Sequence, residues 1–153
     1  MPEEHRPSIL VKQHYFRTKA VWYLQKWLLT PYSWGGNDFS SQDCSGLMIE
    51  ILKSVGVLPH AFDDTAQGLY LRFKQYKIDY LNAGYLVFWF KNGKAVHVEM
   101  GIDEYHVIGA SGGGSATLTI ADAAKNDAFV KMRPVSYRGS EYKTVDPFRS
   151  IEG

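Results

Sequence analysis

The chain has 153 residues, 45% hydrophobic and 14% aromatic, with 17 Lys and Arg, 16 Asp and Glu, and one cysteine. That is enough for one globular domain over 1–153, burying roughly two-thirds of the surface of its unfolded chain. A net charge of +1 excludes the large cationic excess by which proteins find nucleic acid or an anionic membrane, and one thiol excludes an internal disulfide and a multi-thiolate zinc site. Cys44 is therefore either an inert small core residue or a reactive nucleophile.

The start, Met1-Pro2-Glu3-Glu4-His5-Arg6, lacks the cationic-then-apolar order of a secretory signal, and no run approaches the ~18 apolar residues of a membrane-spanning helix. A first helix is expected over 18–29, where Val21, Leu24 and Leu28 share a face that Trp27 widens. Thr30-Pro31 ends it, because the residue before proline is pushed out of the α region. The turn-rich stretch from Tyr32 to Asp38 follows. A second helix starts at Cys44, with Leu47, Met48, Ile51, Leu52 and Val55 at 3- and 4-residue spacing, Asp43 or Ser41 as N-cap and Gly56 at the stop. Asp63 or Asp64 caps a third helix carrying Ala66, Leu69, Tyr70 and Phe73.

From there the period changes to 2. Strands are expected over 85–90 and 95–102, joined by the hairpin signal Asn92-Gly93, then over 105–111, closed by Gly112-Gly113-Gly114, and over 128–135. Helices first and an antiparallel meander second is the α+β order.

A cysteine at a helix start faces unpaired backbone N–H groups and the positive end of the macrodipole, which favour negative charge on sulfur and on the oxyanion formed when it attacks a carbonyl. Ser45 and Gly46 leave room beside the sulfur. Such a thiol needs a base, and His5, His14, His60, His97 and His106 are available. In 95–100, alternation sets Val96, Val98 and Met100 on one face as core and His97 with Glu99 on the other.

The ordered set Pro31-Tyr32-Ser33-Trp34-Gly35-Gly36, Asp43-Cys44-Ser45-Gly46-Leu47 and His97-Val98 resembles the NlpC/P60 family of papain-like cysteine peptidases, most clearly over 31–111. The resemblance implies a papain-like α+β fold with N-terminal helices on an antiparallel sheet. It also implies a hydrolase that cuts amide bonds in peptidoglycan stem peptides, often between γ-D-glutamate and the diamino acid. Cys44 would then be the nucleophile and His97 its base. Tyr32, whose family counterpart has its hydroxyl near the nucleophile, joins Asp43 and Ser45 as candidate contacts to substrate or oxyanion. No cofactor is implied.

Two positions depart from the family. A polar residue, often histidine, usually stands twelve residues after the base, where this chain has Gly109, and glycine usually stands two after it, where this chain has Glu99. Two hairpin registers offer a substitute. With a three-residue loop over 103–105, Ile102 pairs with His106 and Glu99 lies opposite Gly109, so the usual glycine–polar pair is exchanged and Glu99 orients His97. With a two-residue loop the register slips by one and His106 becomes the rival orienter. The exchange favours Glu99.

The glycine-rich 109–115 lacks the Lys-Ser/Thr ending of a phosphate loop and suits a cleft rim. Cys44, His97 and His106 lack compact metal-ligand spacing, so no metal is expected. Without a signal peptide the expected setting is a phage product, on a virion tail or released by lysis, or the bacterial cytoplasm. A papain-like amidase or acyltransferase on another substrate, or a non-enzymatic phage tail or assembly module with a weakened site, are the alternatives. Residues 115–153 hold no readable motif, and Tyr137, Arg138 and Arg149 are either substrate contacts or surface.

Overall fold

The computed structural model describes residues 8–30, 37–38, 41–111 and 129–152. Helix α1 (Ile9–Gln25) is capped by Ser8, whose hydroxyl accepts from the Val11 N–H. It begins nine residues earlier than the apolar spacing implied, because Ile9, Leu10, Val11 and Tyr15 are helical yet exposed and add nothing to a one-sided pattern. It ends before Trp27 and Leu28, which lie in the turn that follows. A two-residue pair, β1 (Asn37–Asp38) and β2 (Ser41–Gln42), leads to α2 (Cys44–Ser54). Beyond α2, Gly56 takes a left-handed φ of 77°, as a helix stop requires. Helix α3 (Ala66–Phe73) is capped by Thr65 through the Gly68 N–H, one residue beyond the expected Asp64, whose Oδ1 instead accepts from the Thr65 N–H.

Six strands form one antiparallel sheet in the order β3-β8-β4-β5-β6-β7. They are β3 (Lys77–Ile78), β4 (Leu86–Lys91), β5 (Lys94–Gly101), β6 (His106–Ser111), β7 (Phe129–Pro134) and β8 (Tyr142–Val145). Within this sheet β3 and β8 were not announced by the apolar pattern, being short and carrying Lys77 and Lys143 among their residues. On one sheet face Leu86, Phe88, Val98, Met100, Ile108 and Val145 pack against α2 and α3 through Leu47, Met48, Ile51, Leu52 and Leu69. On the other, Tyr85, Val87, Trp89 and Val107 form a smaller cluster flanked by Tyr137 and Tyr142.

One expected core residue is not in the core. Trp89 pairs with His97 but Phe90 pairs with Ala95, so Val96 is the extra residue of a β-bulge and is 49% exposed, while Ala95 takes the inward position. The Ala95 N–H donates to Gln67 Oε1 at 2.7 Å, tying α3 to the strand beside His97. The β5–β6 turn follows the three-residue register. Ile102 N–H donates to His106 O at 3.0 Å and Gly101 pairs with Val107.

α1 is held to the C-terminal segment by Asp146, 2% exposed, which accepts from Arg17 Nη2 at 2.6 Å and from the Phe148 N–H at 3.1 Å. Removing one member of such a pair strands the other charge. Asp146→Ala should therefore destabilise the domain by about 3–5 kcal/mol, read as a lower urea midpoint at unchanged slope.

Candidate active site

The N-cap carboxylate of Asp43 accepts from the Gly46 N–H at 2.6 Å and its carbonyl from the Leu47 N–H at 3.1 Å, which starts α2 at Cys44. The N–H groups of Cys44 and Ser45 are in the first turn, where a helix supplies no acceptor of its own. Asp43 is thereby the N-cap of α2. Ser45 is buried and Cys44 half-buried. Tyr32, with Trp34, Gly35, Gly36 and the glycines at 112–114, lies outside the described residues.

His97, 4% exposed, projects from β5 and meets Cys44 and Glu99. Its Nε2 lies 2.8 Å from Glu99 Oε2, which leaves Nδ1 as the nitrogen for the thiol. The Trp89 ring lies 5.5 Å from the imidazole at 50°, walling its side. Burial by itself would lower the His97 pKa. Hydrogen bonds to Cys44 and Glu99, with the charges of both, outweigh that and hold it above 6.5.

Glu99 is fully buried, and its side chain fills the room that Gly109 leaves. A Cβ built on Gly109 would collide with Glu99 Cγ and stand 2.7 Å from Cδ and Oε1. His106, the rival orienter, turns away. Its Nδ1 is 3.0 Å from Asp103 Oδ2, in the same turn. Asp103 is held below the usual carboxylate range chiefly by the Tyr105 N–H, with the His106 N–H and ring adding to it. His14 lies on α1 and His60 is exposed between α2 and α3.

Two contributors escaped the sequence reading. Tyr137, in the 3₁₀ turn Val135–Arg138, donates its hydroxyl to Glu99 Oε2, and Trp89 packs on His97. Neither carries a local motif, and Tyr137 is 38 residues from its partner. Arg149 is 3.7 Å from Asp146, and Arg138 is exposed. Among the described residues there is no group of three His, Cys, Asp or Glu suited to a metal, and no helix long and apolar enough to cross a membrane. A cavity of about 460 Å³ opens between α1 and the turn before β4, lined by Arg17, Trp22, Asn82 and Tyr85 among others. Neither Cys44 nor His97 is among its lining residues.

The NlpC/P60 family model matches residues 29–134. The chain belongs to the NlpC/P60 family. Among solved structures it is similar to an NlpC/P60 family protein of Bacillus cereus, with a TM-score of 0.66, 21% identity, and coverage of 84% of this chain and 39% of that one. It is also similar to the P60 domain of a Mycobacterium avium subspecies paratuberculosis antigen (0.64, 23%, 87% and 96%). A third is the peptidoglycan hydrolase RipB of Mycobacterium tuberculosis (0.63, 21%, 98% and 71%). The chain thus spans well under half of the Bacillus protein and nearly all of the mycobacterial P60 domain. Among curated proteins none matches the sequence. These likenesses carry the papain-like α+β fold.

Two outcomes follow from the geometry. Gly109→His alone should destabilise the domain by about 1–3 kcal/mol through overpacking, and adding Glu99→Gly should recover most of that loss, as urea midpoints of the single and double variants would record. The second concerns pH. A His97 pKa raised above 6.5 means that the stabilisation from its acceptors is complete below that value and is lost as pH rises through the folded pKa. The stability gap between wild type and Glu99→Gln should be widest near pH 6 and shrink toward pH 9 in denaturant titrations.

Proposed function

We propose that this domain hydrolyses amide bonds in the peptide stems of peptidoglycan, with the bond between γ-D-glutamate and the diamino acid as its target. The observation that carries the reading is the row Cys44, His97, Glu99 at the helix start of an NlpC/P60 domain. RipB, a structural relative, is a peptidoglycan hydrolase.

His97 takes the Cys44 proton, and the sulfur attacks the carbonyl carbon while the first-turn N–H groups of α2 receive the oxyanion. The C–N bond then breaks, His97 returns the proton to the leaving amine, and an acyl-thioester remains. Water, deprotonated by His97, adds to the thioester; the C–S bond breaks and the thiol is regenerated. Glu99 holds the ring with Nδ1 toward sulfur and offsets the imidazolium charge, as the third member of other triads does.

Digestion of purified peptidoglycan, with mass analysis of the fragments, tests this. Wild type should release peptide cleaved after γ-D-glutamate, and Cys44→Ala should release none above background. Equal profiles would sink the peptidase reading, and passage of the acyl group from the broken amide to an added amine in place of water would favour the acyltransferase alternative.

A further inference from the structure

We infer that Tyr137 is a positioning residue for the His97–Glu99 pair, an inference that rests on the hydrolase reading above. Tyr137 follows β7 in the turn Val135–Arg138, which the Val135 N–H anchors to Tyr105 O at 2.8 Å. Its ring packs edge-on to Trp89 at 6.1 Å, and Trp89 in turn flanks His97 and Tyr142. The Arg133 guanidinium lies 5.0 Å from the Tyr137 ring centre. This packing aims the hydroxyl at Glu99.

Glu99 is 0% exposed, and a carboxylate taken out of water is costly unless donors replace the lost hydration. The Tyr137 hydroxyl and His97 Nε2 both address Oε2, while Oε1 has no partner among the described residues. Two donors converging from different elements, β5 and the turn after β7, determine where that oxygen sits. The imidazole would otherwise be held by a neighbour two residues along its own strand, on a side chain with three rotatable bonds. Tyr137 removes that freedom. Its hydroxyl acts on the base through Glu99.

Tyr137→Phe keeps the ring against Trp89 and deletes only the O–H, so folding is preserved and can be checked by thermal melting. On peptide-stem fragments from purified peptidoglycan, kcat should fall about tenfold with KM unchanged, the scale of one hydrogen bond to a charged group. Alkylation of Cys44, the chain's lone thiol, by iodoacetamide at pH 6 should slow by a similar factor. In a Glu99→Ala background the same substitution should cost less than about twofold, because the acceptor it acts through is gone. Wild-type kcat and alkylation in Tyr137→Phe, a change in KM alone, or the full cost persisting beside Glu99→Ala would each overturn the inference. Failure of the hydrolase reading is separately visible as equal fragment profiles for wild type and Cys44→Ala, and the alkylation cycle then decides Tyr137 alone.

Discussion

The arrangement around Cys44 depends on one buried carboxylate. Glu99 occupies the space over Gly109 and meets His97 Nε2 at 2.8 Å. With Nε2 taken, the ring can present only Nδ1 to sulfur, so one contact sets both the tautomer and the direction of the base. Hydrogen bonds to Cys44 and to this carboxylate together raise the His97 pKa against its own burial. A ring turned differently would not present Nδ1 to the Cys44 sulfur.

Bringing that base to the helix start is the work of the sheet and its irregularity. β5 lies at the middle of the sheet, paired with β4 and β6. The bulge at Val96 moves one residue out of the ladder, so that Ala95 faces the helices while His97 keeps to the Trp89 side. Gln67 of α3 satisfies the backbone N–H at that point. On the other side Asp43 caps α2, so that the helix begins at the cysteine itself. The chemistry is therefore divided between a helix terminus and a strand, each stabilised independently by the larger core between α2, α3 and the sheet.

Family membership explains the thiol and the histidine but not the group behind the histidine. In this chain glycine and polar residue have exchanged strands, and the exchange works because the two positions face each other across β5 and β6. Volume removed at Gly109 is the volume Glu99 fills. A carboxylate in so dry a place needs a second donor, and Tyr137 arrives from a segment with no recognisable pattern, by way of an aromatic stack with Trp89.

The sequence by itself determined the α+β order, the helix that starts at Cys44 and the His97 strand, because those rest on local periodicity and turn chemistry; it left the cap between Asp43 and Ser41, and the structure shows Asp43. It narrowed the orienter of His97 to Glu99 or His106 without deciding between them, since a one-residue difference in the β5–β6 turn reverses which residues share a face. Tertiary structure decided that, through Ile102 pairing with His106 and Asp103 engaging the His106 ring. It also decided what alternation misjudged at Val96, where a bulge breaks the period of two. The β8 strand and the Tyr137–Glu99 bond were illegible beforehand for a common reason. Short polar strands and contacts 38 residues apart leave no periodic trace, and only the packing of the sheet brings them together.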